Sequence, residues 1–140
     1  MLDRIVFVKT GWSETYHGEP VRGRHGYLQT AQGHECYNFK PAQDGRYYGY
    51  VPPVGQSSPK PKNRTDWLVM FVAAYRGTGN LTAVGWYEDA AFTVSNQPRP
   101  PEFPPDSNGH PFDYCISGDQ AHLIQPDRRR QGNIPGDHFR

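Results

Sequence analysis

Two tryptophans follow glycines, Gly11-Trp12 and Gly85-Trp86, each where an apolar, β-branched run breaks off. Tyr16, Tyr48 and Tyr50 add further rings close to glycines, and Ser13, Asn38 and Asp89 stand near them with hydrogen-bonding groups. Rings beside glycines at strand ends can wall a slot for a flat ligand, while a few polar groups satisfy the ligand's edge. The same rings can instead supply the bulk of a small core, and residue type alone leaves both uses open.

Other chemistries find less support. No nucleophile motif, P-loop, dinucleotide fingerprint or H-E-x-x-H occurs, and no two carboxylates sit at a spacing that suggests paired acid and base work. His34 beside Glu35, and His110 near Asp113, are acid/base pairs in principle, although neighbours on a strand point apart. Cys36, Cys115, His34 and His110 are the ligand types of a zinc site, yet neither half shows the usual C-x₂₋₄-C or H-x₃₋₅-H spacing. The expected site therefore holds no metal and no cofactor, and the cysteines are expected as buried thiols rather than a bridge.

The elements that must position the rings are strands. Residues 67–75 form an apolar, aromatic run, and residues 81–86 resume it after Arg76-Gly77-Thr78-Gly79-Asn80, which predicts an antiparallel hairpin with Gly77 and Gly79 in the turn. Leu68, Met70 and Val72 are expected on the core side, with Val69 and Phe71 against a covering helix or loop. Residues 4–9 alternate as a first strand with Ile5, Phe7 and Val8 inward. Residues 35–39 and 46–51 read as a second hairpin around Asp44-Gly45, with Tyr48 and Tyr50 on one face and Tyr47 on the other. Gly49 is expected to let a neighbouring group approach its backbone closely.

A further strand is expected over 91–94, a proline-rich crossing that joins no ladder over 96–109, and short edge pieces over 112–116 and 121–124. Ser13 is placed to cap a single turn that Gly18 and Pro20 then end.

Composition bounds the rest. The chain has 140 residues, 35% apolar, with 15 Gly, 14 Pro and 9 Tyr, which suits one β-rich domain with long ordered loops. We expect an α+β domain over 1–126, dominated by a small, strongly bent or closed β-barrel with few short helices, and a polar, basic tail or linker over 127–140. Lys and Arg number 15 against 14 Asp and Glu, so no global field favours a polyanion and any phosphate contact must be local. Arg22 and Arg24 in one polar loop, and Lys60, Lys62 and Arg64 in another, are the candidates for it. The opening residues lack a signal peptide's pattern and no apolar window reaches membrane-spanning length, so a cytoplasmic protein without membrane partners is expected.

The order of the short segments FVKTGWS (7–13), HECYNFKP (34–41), YYGYV (47–51) and VGWYEDA (84–90) resembles the N-terminal modules of modification-dependent restriction nucleases, which are similar to the EVE, YTH and PUA-like small barrels. The resemblance spans roughly residues 5–94. It implies a PUA-like fold and a modified base, flipped out of DNA or RNA, held between Trp12 and Trp86 with Tyr16, Tyr48 or Tyr50 completing a cage. Asn38, Ser13 and Asp89 would read the base edge, and a separate nuclease domain or subunit would carry any cleavage. Two other readings stand beside it: a small-molecule or carbohydrate binder using the same rings, and a catalytic domain using His34, Glu35 or His110.

Overall fold

The computed structural model describes residues 4–19, 21, 34–51, 64–77 and 80–129. Its strands are β1 (Ile5–Lys9), β2 (Tyr47–Gly49), β3 (Trp67–Ala74), β4 (Leu81–Pro98), β5 (Asp113–Gly118) and β6 (Gln120–Leu123). Among the described residues there is no α-helix, only 3₁₀ turns at His34–Tyr37, Tyr75–Gly77 and Pro126–Arg128. The described residues are thus more purely β than the α+β expectation.

β3 and β4 form the expected antiparallel hairpin, with Met70 opposite Trp86 and Ala74 opposite Leu81. The left-handed backbone expected of the turn glycines falls on Arg76, at φ 51°, while Gly79 lies outside the described residues. β1 adds to the other side of β3 in parallel, Ile5 opposite Leu68 and Lys9 opposite Val72.

β4 is a single strand of 18 residues where two were expected. Its first half pairs with β3 on one side and β6 on the other; its second half pairs with β5, and β5 pairs with β2. Asp89, at φ 50°, sits where one set of partners gives way to the next. A left-handed residue and repeated register shifts in one strand bend it, so β4 carries the sheet around a corner. The pairing path runs β1-β3-β4-β5-β2, with β6 attached to β4, and it stays open at β1 and β2.

Several local expectations are corrected. Residues 34–39 are a 3₁₀ turn followed by a bend, because Glu35, Cys36, Tyr37, Asn38 and Phe39 are buried in succession, which an alternating half-buried strand cannot do. Tyr47–Gly49 accordingly pairs with β5 and not with residues 35–39. The Asp44-Gly45 turn itself is present: Ala42 N–H donates to Arg46 O, and Gly45 takes φ 81°. Gln97 and Pro98, expected in a crossing outside any ladder, still pair with Tyr114 and Asp113.

The inward faces are also exchanged. On β1, Ile5 and Phe7 are 40% and 42% exposed whereas Val8 is buried and Val6 packs on the core. On β3, Val69 and Phe71 are fully buried, while Leu68 and Met70 are only partly so; Val72 is buried as expected. The cause is the central cluster of Phe39, Phe71 and Tyr87, whose ring centroids lie 4.8–5.6 Å apart in edge-on or tilted pairs. Once Tyr87 faces that cluster, cross-strand register puts Val69 and Val6 on the same side and Trp86, Met70 and Phe7 on the other.

Two glycines make room for these rings. A Cβ on Gly85 would lie 2.5 Å from Phe39 Cζ and 2.5 Å from the His122 carbonyl oxygen, and one on Gly49 would lie 2.8 Å from Tyr87 Oη. The close approach expected at Gly49 is therefore made by Tyr87. Gly85→Ala is expected to cost about 1–3 kcal/mol by overpacking, since a backbone oxygen and a core ring must both move. Thermal unfolding checks this, and an unchanged melting temperature would show that Phe39 is not held against β4.

Candidate functional site

Four of the residues expected in a cage are instead internal struts. The chain leaving β1 turns back through residues 11–19, and Trp12 and Tyr16 drop into the core there, with exposures of 7% and 0%. The Trp12 ring meets the Tyr75 ring at 5.3 Å and the Arg129 guanidinium at 4.7 Å. Tyr16 donates its hydroxyl to Gly11 O at 2.7 Å, and burial pushes the hydroxyl's pKa upward against the pull of Arg129. Ser13 Oγ donates to Glu19 and accepts the Tyr16 N–H, so it does cap a local turn, though no helix follows.

Asn38 is wholly buried and holds the chain beside β2: its Nδ2 donates to Tyr50 O at 3.0 Å, and its Oδ1 accepts from Tyr50 N at 2.8 Å and from Arg99 Nη2 at 3.2 Å. These groups hold one another and present no edge-reading atoms to a ligand.

The remaining candidates are dispersed. Tyr48 is half-buried against Tyr114 at 4.8 Å and donates its hydroxyl to Asp44 at 2.7 Å. Tyr50 lies 4.8 Å from the His34 ring. Trp86 is on the face turned away from the core, stacked on His122 at 4.8 Å and 22°, in a row with Met70 and Phe7. Asp89 is exposed at the corner of β4. Trp12 and Trp86 therefore do not face each other across one slot.

Arg64 is exposed, its carbonyl accepting Phe92 N–H at 2.7 Å, whereas Arg22, Arg24, Lys60 and Lys62 lie outside the described residues. Cys36 and Cys115 are buried free thiols, with burial raising the Cys36 pKa to about 12. His34 Nδ1 accepts the Asp113 N–H, and His110 Nδ1 lies 3.9 Å from Asp106 Oδ2. Among the described residues no cluster of three or more His, Cys, Asp or Glu is placed to hold a metal ion, and no helix is long and apolar enough to cross a membrane.

A different set of residues surrounds an open cavity of about 580 Å³. Phe39, Tyr47, Ala121, Leu123 and Pro126 give it an apolar lining, and Glu14, Thr15, His17 and Gln125 give it a polar rim. Four separate parts of the chain supply these groups: the loop after β1, the residues after the first 3₁₀ turn, β2, and β6 with its continuation. Comparison with known protein families, curated proteins and solved structures returns no match. The site must be judged on its own chemistry.

Two charged groups build the rim. Arg129 is 3% exposed and donates from Nε to Ile124 O, from Nη1 to Ser13 O and from Nη2 to Glu14 O, at 2.5–2.7 Å. One guanidinium thus ties the chain beyond β6 to the loop after β1, the two sides of the cavity. Residues 127–140 were expected to form a separate tail, but the packed chain runs at least to Arg129. From Asp127-Arg128-Arg129-Arg130, the fold takes up Arg129 and leaves Arg128 exposed beside the cavity residue Pro126.

Glu19 organises the loop itself. Its carboxylate accepts from Ser13 Oγ, Thr15 Oγ1 at 2.7 Å, Thr15 N at 2.9 Å and Tyr16 N at 3.1 Å. Burial opposes its charge, but the hydrogen bonds from Ser13 and Thr15 outweigh burial and hold the pKa at about 2 against an ordinary 4.5. A depressed carboxylate stabilises the fold above its unfolded pKa, and that stabilisation disappears as pH falls through the folded one. Wild-type protein should therefore melt above the Glu19→Gln variant at neutral pH, with the gap closing between pH 4.5 and about 2. A gap unchanged across that window would show that Glu19 does not hold the loop.

Sequence reasoning missed Tyr47, Glu14, Thr15, His17, Phe39 and Gln125. One signal was available: Tyr47 alternates with Tyr48 and Tyr50, so it had to face elsewhere than they do. The carboxylate at Glu19, following Ser13 and Thr15 by six and four residues, was a second.

Proposed function

We propose that this chain is a nucleic-acid-binding module of PUA-like type that receives a modified, flipped-out base in the cavity beside Tyr47, and that it serves as the specificity domain of a modification-dependent restriction or defence system. The cavity carries the proposal: it is large enough for a substituted base, its lining includes the Tyr47 and Phe39 rings, and its rim is polar. The bent sheet and the order of segments that resembles EVE and YTH modules support the fold side of the reading. Exposed Arg128, two residues beyond the lining residue Pro126, is the candidate for a phosphate left outside while the base enters. Cleavage belongs to another domain or subunit.

A panel of duplexes carrying different modified bases tests this, read by affinity at several salt concentrations. One modification should bind best, and its affinity should fall with salt because phosphate contacts release counterions. Tyr47→Ala, at a half-buried position, should weaken binding about tenfold to a hundredfold while the protein stays folded. Binding of a sugar or other neutral small molecule, insensitive to salt and unmatched by any duplex, would replace this reading with that of a small-molecule binder.

A further inference from the structure

The hydrogen bonds around the rim determine which polar groups remain for a ligand. Thr15 directs its hydroxyl proton to Glu19 Oε1 and Oε2, at 2.7 and 2.8 Å, and its oxygen already accepts the His17 N–H at 3.2 Å, so what it has left for a ligand is one further acceptor position. His17 Nε2 lies 3.1 Å from the Phe39 carbonyl oxygen. A carbonyl only accepts, so Nε2 carries the proton, and in the neutral ring Nδ1 is an acceptor. Glu14 adds a carboxylate, while its own main-chain carbonyl is held by Arg129. Gln125 can serve either way.

The lining contains no lysine or arginine among the described residues, and Arg129, which is bonded to the main chain of the lining residue Glu14, directs N–H groups from Nε, Nη1 and Nη2 to main-chain carbonyls. Acceptors thus predominate among the described lining groups, and the one cation bonded to this rim, Arg129, is occupied by main-chain carbonyls. An anionic group entering the cavity would meet that carboxylate, and a ring edge made only of carbonyl oxygens would meet acceptors with acceptors.

We propose that the cavity selects a planar heterocycle that presents amino or ring N–H donors toward Glu14, Thr15 and His17, and that it excludes phosphate. This rests on the reading of the cavity as a base pocket and adds to it the polarity of the base edge. Glu14 is the specificity-determining residue, since a hydrogen bond to a carboxylate is stronger than one to a neutral oxygen.

The test uses trinucleotides with abasic flanks whose central base is adenine or purine, which is adenine without its amino group, and a second pair with cytosine or 2-pyrimidinone. Affinity and amide NMR shifts at Thr15, His17, Tyr47 and Gln125 are the readouts. Each amino-bearing probe should bind about tenfold tighter than its partner. Glu14→Gln, at an exposed position, should keep the fold and shrink that ratio to about twofold or less. Equal binding of the two members of both pairs, with shifts at the cavity residues, would overturn donor selection and leave the base pocket standing. Failure of every trinucleotide to shift those residues would overturn the base pocket and this inference with it.

Discussion

Arg99→Met is expected to lower the stability of the fold by about 3–5 kcal/mol. Arg99 is 3% exposed, and its fork is shared among main-chain and amide oxygens, with no carboxylate accepting from it among the described residues. Nε and Nη2 donate to Tyr48 O at 3.1 and 3.0 Å, Nη1 to His34 O at 2.5 Å, and Nη2 to Asn38 Oδ1 at 3.2 Å. The guanidinium also lies 5.7 Å from the Tyr37 ring and 6.0 Å from that of Phe103. Methionine would preserve most of the packed stem, so the loss isolates the carbonyls left without a donor. Lysine should recover only part of it, because a point ammonium cannot reach a fork's acceptors together. Chemical and thermal unfolding measure the effect, and a variant melting within about 2 °C of the parent would show that water replaces the guanidinium at no cost.

Trp12→Ala should cost as much, about 3–5 kcal/mol, since it opens a void between Tyr75 and Arg129 in the core. Trp86→Ala should cost only about 1–2 kcal/mol, because that ring is partly exposed and loses chiefly its stack on His122. Affinity measured on the same two proteins separates core from site. In folded Trp86→Ala protein, binding at the cavity should stay within about twofold of wild type, a difference well under 1 kcal/mol. A tenfold or greater loss there would restore Trp86 to the ligand and move the site to the outward face of the sheet.

The residues themselves determined the β-rich character, the β3–β4 hairpin, the Asp44-Gly45 turn and the separation of Tyr47 from Tyr48 and Tyr50. Those features depend on alternation, turn chemistry and contacts within a few residues, which a linear reading contains. Alternation sorts side chains into two sets without saying which set is inside. The tertiary structure made that choice when Phe39 and Tyr87 met Phe71, and it turned Ile5, Phe7 and Trp86 outward. Only the fold could bring Arg129 to Ser13 and Arg99 to His34, contacts across 116 and 65 residues. Trp12, Tyr16 and Asn38 have the chemistry of a binding site and serve as core because those distant partners close over them. The cavity collects Glu14, Phe39, Tyr47, Leu123 and Gln125 for the same reason: its walls are set by packing between segments whose separation along the chain carries no signal of their meeting.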